Sequence, residues 1–185
     1  MKLRIIAGKY GGRQISGDVT SKTHPSGERP RGGMFNILTS RGLVDGKTVL
    51  DAFAGTGALG LEALSRGATH VTFIDRDSVA VKTIRNNIRL LNVSGQTTAI
   101  KSSVKNFIDN CTDCFDLIIA DPPYDKLQLE TVLDLSQLLS NDGVLALSLP
   151  SEAKLDIGQL QKHGLAEVLA RNYGKASVVI LQSIY

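Results

Sequence analysis

From residue 48 onward, short apolar runs alternate with segments whose apolar residues recur every three or four positions. Residues 48–53 predict a strand ending in a glycine-rich turn, and residues 58–66 read as a buried helix. His70–Asp75 is a second strand. Across residues 77–91, Val81, Ile84, Ile88 and Leu91 form a helical stripe, with Asp77 or Ser78 placed to cap its start. Thr97–Lys101 predicts a weaker third strand and Val104–Asn110 a short helix. Residues 115–121 form a fourth strand, and residues 126–139 a helix ended by Asn141-Asp142-Gly143. Residues 144–149 are a fifth strand, stopped by Pro150. A helix near 157–163 precedes residues 165–172 and 177–184, a closing hairpin around Gly174. Such alternation predicts an α/β fold in which helices cover both faces of a parallel sheet. Ligands in such sheets bind beyond the carboxyl ends of the strands.

Residues 1–47 follow a different grammar and are expected to form a separate basic arm ahead of a catalytic domain over 48–185. Residues 4–10 and 13–16, joined by Gly11-Gly12, predict a β-hairpin. Residues 18–26 read as a polar loop. Pro30, Gly32 and Gly33 are poor helix formers, so a helix is expected only over 33–38. Nine Lys/Arg stand against three acids in residues 1–47, whereas the remainder holds twelve against fifteen. A basic arm on a slightly acidic body suits a polyanionic partner, although solvated basic surfaces are common. Within 185 residues of 42% hydrophobic content, no apolar run approaches the ~18 residues that span a bilayer. The amino-terminal apolar stretch is too short for a signal peptide, so a cytoplasmic location without membrane association is expected. Cys111 and Cys114 form a C-x-x-C pair that precedes a strand and lacks further nearby ligands, which reads as two reduced bystander thiols; no metal is expected.

Chemistry concentrates in two motifs. Asp121-Pro122-Pro123-Tyr124 follows the fourth strand. Taken alone it could be a Pro-Pro turn. It also suits alkylation of an amine conjugated to a flat ring, whose lone pair is delocalised into that ring. Hydrogen bonds from the amine to the Asp121 carboxylate and the Pro122 carbonyl would localise the lone pair toward an incoming methyl group. The prolines contribute no N–H donors, so the corner presents acceptors. Tyr124 could stack on the ring and align it.

The second motif is Asp51-Ala52-Phe53-Ala54-Gly55-Thr56-Gly57-Ala58-Leu59-Gly60, in which Gly55, Gly57 and Gly60 satisfy G-x-G-x-x-G and Asp75 ends the next strand. This pattern fits a nicotinamide dinucleotide, with the acid on ribose hydroxyls. Asp51, however, places a negative charge where a pyrophosphate would approach. S-adenosylmethionine carries cationic ammonium and sulfonium groups instead, and together with the Asp121 motif this favours the methyl donor.

Arg4-Ile5-Ile6-Ala7-Gly8-Lys9-Tyr10, Gly12-Arg13, Glu28-Arg29, Arg31, Met34-Phe35-Asn36-Ile37-Leu38, the Asp51 motif and Asp121–Tyr124 together resemble the RsmD family. These are bacterial methyltransferases acting on guanine N2 in 16S rRNA, and the resemblance covers essentially the whole chain. It implies the class I S-adenosylmethionine-dependent methyltransferase fold: Rossmann-like, with a seven-stranded, mostly parallel sheet whose last strand is antiparallel, extended here by the amino-terminal hairpin. It further implies that Asp121 and Pro122 hold the guanine amine and Tyr124 stacks the base. Asp51, Phe53, Ala54, Gly55, Thr56, Gly57, Asp75, Arg76, Ser103 and Val104 are then the cofactor residues. Arg4, Lys9, Arg13, Arg29 and Arg31 are the candidates for RNA phosphate contacts, with the small ribosomal subunit as partner and a monomer as the default.

The chain departs from the family pattern at several positions. Gly32 stands where Glu is usual after the second Arg, and Pro30 and Gly33 interrupt the same stretch. His24 replaces an Arg. Ser103 stands where Asp or Asn usually faces the adenine amine. Two other functions remain open at this stage: methylation of adenine N6 in rRNA or DNA, and a non-catalytic RNA-binding role in ribosome assembly.

Overall fold

The computed structural model describes residues 2–17 and 27–184; the expected loop over 18–26, with His24, lies outside them. Seven strands form one sheet: β3 (Thr48–Ala52), β4 (His70–Asp75), β5 (Thr97–Lys101), β6 (Phe115–Ala120), β7 (Leu139–Pro150), β8 (Leu165–Tyr173) and β9 (Ala176–Ser183). Their order is β5-β4-β3-β6-β7-β9-β8, and β9 alone runs antiparallel to its neighbours. The chain winds outward from β3 through β4 and β5, then returns to the other side of β3 with β6. The switch point therefore falls between β3 and β6, where open α/β sheets leave a crevice at the carboxyl ends.

Helices cover both faces. On one face lie α1 (Glu28–Ser40), α2 (Ala58–Ser65) and α3 (Ser78–Leu91). They bury Met34, Phe35, Leu38, Leu61, Ile84, Ile88 and Leu91 against Val49, Val71 and Ile119. The helical stripe predicted for α3 is this buried face, and Asp77 caps the helix by accepting from Val79 N at 2.8 Å. The opposite face is covered by α4 (Val104–Asn110), α5 (Leu129–Leu133), a 3₁₀ turn over Asp134–Leu138 and α6 (Ile157–Lys162).

Four local expectations are corrected. The single helix predicted over 126–139 is instead a 3₁₀ turn at Tyr124–Lys126, then α5, then the 3₁₀ turn of Asp134–Leu138. Within the 3₁₀ turn the buried residues are Leu135 and Leu138, spaced by three, which three residues per turn places on one face. Asn141-Asp142-Gly143 does not end a helix. It lies inside β7, where the register against β6 jumps between Phe115 and Leu117 and Asp142 takes φ 60°.

The amino-terminal hairpin is also shorter than predicted: β1 (Lys2–Arg4) pairs with β2 (Gln14–Ser16), and residues 5–13 form a loop. Ile5 and Gly12 still bond across the hairpin, Ile5 N to Arg13 O and Gly12 N to Ile5 O, but four of the loop's backbone donors turn to α2. Ile6 N and Ala7 N donate to the Glu62 carboxylate at 2.7 and 3.1 Å, Lys9 N to Ser65 O at 2.7 Å, and Tyr10 N to Ser65 Oγ at 2.9 Å. Gly8 takes φ +83° against this helix, and a Cβ there would overlap Ser65 O.

Helix α1 begins five residues earlier than expected. Pro30 sits in its first turn, where a missing N–H leaves no hydrogen bond unmade. Gly33 lies against the Tyr173 ring of β8, which a side chain would displace. Leu3, Ile5 and Ile15 of the arm are buried in the same core as α1 and α2. Among the described residues no helix is long and apolar enough to cross a membrane.

Candidate active site

Parallel pairing aligns Ala52 of β3 with Ile74 of β4 and with Ala120 of β6, and Ala120 in turn with Leu147 of β7. One residue further along each strand stand Phe53, Asp75, Asp121 and Ser148. The sheet register thus brings the two sequence motifs to one edge, at the switch point.

The glycine turn is held from three sides. Asp51, fully buried, accepts from Gly60 N at 2.8 Å through Oδ2. Asp75 accepts from Gly55 N through Oδ2 and from Asp77 N through Oδ1, both at 2.8 Å. Asn87 of α3 donates to Thr56 O at 3.0 Å and to Ser16 O at 2.9 Å, while Ser16 N donates back to its Oδ1 at 2.8 Å. Phe53 takes φ 62°, a left-handed conformation costly for an aromatic residue, and Gly55 and Gly57 take φ 54° and 78°. Gly60 permits close packing of α2 on β4, since a Cβ would strike the Phe73 ring.

The electrostatics are acidic. Burial pushes the Asp51 carboxyl well above the usual carboxylate range; the Gly60 N–H opposes this, and the negative Asp121 and Asp75 add to it. Asp51 Oδ1 is buried without a hydrogen-bond partner. A buried carboxylate with an unused oxygen beside two further acids suits a ligand carrying positive charge and opposes one carrying phosphates. S-adenosylmethionine therefore fits the residues present and a dinucleotide does not. Asp51 would meet its cationic end, Asp75 its ribose hydroxyls and Gly55–Gly57 its close backbone approach.

The remaining expected cofactor residues divide. Ala54 and Thr56 are buried in the turn and Arg76 is exposed just beyond Asp75. Ser103 caps α4, accepting from Asn106 N at 3.2 Å, so its hydroxyl has a structural duty. Val104 is buried on the α4 face. In the acceptor motif, Pro122 is buried and Asp121 half-buried. Tyr124 is 40% exposed, with its hydroxyl 2.9 Å from Ser148 Oγ.

The basic residues also divide. Arg4 and Arg29 line a groove of about 550 Å³ with Ile6, Gly12 and Glu28. Lys9 and Arg13 flank the Tyr10 ring, at 5.5 and 6.0 Å from its centroid, and Arg13 donates to Leu90 O at 2.7 Å. Arg31 corrects the expectation of a surface phosphate contact. It is only 2% exposed and donates to Arg4 O at 2.7 Å. Burial lowers its pKa, with Glu62 and Glu28 pulling the other way.

Three residues of the site escaped the sequence reading: Glu62, Asn87 and Ser148. For Glu62 and Ser148 the signal was a polar residue inside an otherwise buried apolar segment; Asn87 stands among other polar residues of α3 and gave no such signal.

Fold, switch-point crevice and cation-seeking glycine turn define a class I S-adenosylmethionine-dependent methyltransferase. The model of the family described as conserved hypothetical protein 95 matches residues 3–182. The chain belongs to that family, the one whose motifs the sequence identifies as RsmD-like. It is 32% identical over 169 residues to ribosomal RNA small subunit methyltransferase D of Escherichia coli K12, covering 91% of this chain and 80% of that protein. It is 31% identical over 159 residues to YlbH of Bacillus subtilis, which carries a provisional rRNA methyltransferase name, covering 83% and 85% respectively. The solved structure of yhhF from Escherichia coli, provisionally called a methyltransferase, superposes with a TM-score of 0.82 at 25% identity, covering 99% of this chain and 98% of that one.

Asp51→Asn separates stability from ligand binding. A carboxyl whose native pKa is raised contributes most stability below its unfolded value, and that contribution is lost as pH rises through the native value. The ligand-free variant should therefore melt higher than wild type at pH 8, with the gap closing in acid. Its affinity for S-adenosylmethionine should fall roughly ten- to a hundredfold, the worth of a charged hydrogen bond. Thermal melts across pH with calorimetric titration test both.

Proposed function

We propose that this protein methylates the exocyclic N2 amine of a guanine in small-subunit rRNA, in the cytoplasm and as a monomer. Residues 1–47 are its RNA-contacting arm and residues 48–185 its catalytic domain. The observation that carries this reading is the alignment of Asp121-Pro122-Pro123-Tyr124 with the Asp51–Gly57 turn on adjacent strand ends. The family membership and the name of the Escherichia coli relative support the substrate class. The edge strand β8 exposes Glu167 and Arg171, which discourages pairing with a second sheet.

When bound, the cofactor supplies an electrophilic methyl group on a sulfonium that needs no covalent enzyme intermediate. This chain's residues orient the acceptor. The Asp121 carboxylate and the Pro122 carbonyl accept the two amine hydrogens, drawing the nitrogen lone pair out of conjugation and toward the methyl. Tyr124 stacks on the base and holds it in line. After the carbon–nitrogen bond forms, the nitrogen carries an acidic proton, which passes to Asp121 or water. The acceptors are already placed where positive charge develops. A base in a helix cannot reach Asp121, so the target nucleotide must be unstacked. Arg4 and Arg29 in the groove, with Lys9 and Arg13 on the arm loop, are the proposed phosphate contacts; Arg31 is withdrawn from that set by its burial.

Two outcomes are expected. Transfer of labelled methyl to small subunits lacking the modification, followed by nucleoside digestion and mass spectrometry, should yield labelled N2-methylguanosine. N6-methyladenosine would move the protein to an adenine substrate, and no transfer together with no cofactor binding would favour the assembly-factor role. Arg4→Ala with Arg29→Ala should weaken RNA binding and lower the steepness of its salt dependence by roughly two phosphate contacts, measured as affinity against salt. An unchanged slope would place the RNA elsewhere.

A further inference from the structure

Ser148 is the one hydroxyl in the run Val144-Leu145-Ala146-Leu147-Ser148-Leu149 and is 3% exposed. A buried hydroxyl in an apolar strand requires a partner. Tyr124 supplies it: Tyr124 Oη lies 2.9 Å from Ser148 Oγ across 24 residues. Ser148 stands one residue beyond Leu147, and Asp121 one residue beyond its partner Ala120, so the two sit side by side at the carboxyl ends of β6 and β7. The Tyr124 ring hangs from a short 3₁₀ turn after two prolines and remains 40% exposed. Such a turn fixes the chain's path but leaves the ring free to rotate about its side-chain torsions. The bond to Ser148 restrains the far end of that ring.

We propose that Ser148 is a positioning residue that orients the Tyr124 ring for stacking on the target base beside Asp121. Ser148 acts through Tyr124 and touches neither substrate nor cofactor. The inference rests on the reading of Tyr124 as the base-stacking residue and adds what aligns it. Burial, followed by the negative Asp121 and Glu152, raises the Tyr124 pKa and outweighs the opposing bond to Ser148. The phenol therefore stays neutral and keeps its proton for hydrogen bonding at working pH.

The test measures single-turnover methyl transfer, cofactor affinity and melting temperature for Tyr124→Ala, Tyr124→Phe, Ser148→Ala, Ser148→Thr and the double variant Tyr124→Phe/Ser148→Ala. Tyr124→Phe and Ser148→Ala should each slow transfer roughly five- to tenfold, the worth of one hydrogen bond, with cofactor affinity unchanged. The double variant should be no slower than either single one, because both remove the same bond. Ser148→Thr keeps the hydroxyl and should restore most of the rate, which a purely structural role would not require. Transfer at the wild-type rate in Tyr124→Phe, or multiplying losses in the double variant, overturns the inference. A slow Tyr124→Ala beside a normal Tyr124→Phe leaves base stacking standing without it. A normal Tyr124→Ala removes both the stacking role and the inference built on it.

Discussion

A carboxylate buried in an apolar helix ties the two parts of this molecule together. Glu62 of α2, wholly inaccessible, accepts from Ile6 N and Ala7 N of the arm loop and from Arg66 Nε at 2.7 Å. Arg66 in turn stacks over the Phe35 ring of α1, 5.3 Å from its centroid. Buried N–H donors left unpaired cost about 1–3 kcal/mol each, so the arm has few cheap alternative positions. Helix α2 also begins directly after Gly57, and its Gly60 N–H holds Asp51. One short helix therefore fixes the cofactor turn at its start and the basic arm a turn later. A groove lined by Arg4 and Arg29 is thereby set on the same scaffold as the reacting site.

The site itself gathers negative charge. Asp51, Asp75 and Asp121 converge at three neighbouring strand ends, and the last two add to the burial that disfavours the ionised form of Asp51. A cationic ligand relieves that repulsion, which gives the cofactor turn a reason to prefer a sulfonium over a phosphate. Asp75 has two backbone donors and serves the turn's shape as well as its ligand. Asp51 keeps one oxygen unused. Asp121 differs from both in following β6, beside Pro122 and Tyr124 in the corner proposed for the acceptor.

The alternation of strands and helices, the helix stripe of α3 and the meeting of the two motifs at strand ends were legible in the sequence because they depend on period and spacing. The order of strands in the sheet was not. Val81, Ile84, Ile88 and Leu91 repeat as a helix must, and Gly55, Gly57 and Asp121 fall where apolar runs stop. What stayed hidden depends on partners remote along the chain. Residues 4–10 look extended in sequence but turn after Arg4, and the amides of Ile6, Ala7 and Tyr10 bond a helix about 55 residues away. Arg31 resembles its neighbour Arg29 in sequence, yet the first turn of α1 points one into solvent and the other under Arg4. Gly33 looked like a helix breaker, and the Tyr173 ring that requires it lies 140 residues on.

The proposed function divides the labour between Asp51, proposed to serve the cofactor, and Asp121, proposed to serve the acceptor. The most direct measurement compares Asp121→Ala, which removes the side-chain acceptor, with wild type in two assays on the same preparation: cofactor affinity by calorimetry, and single-turnover methyl transfer at saturating cofactor. Cofactor affinity should stay within roughly threefold while the transfer rate falls by at least a hundredfold, as when a positioned acceptor is lost at the reacting atom. A transfer rate close to wild type, or a loss that saturating cofactor restores, would contradict the assignment of Asp121 to the amine.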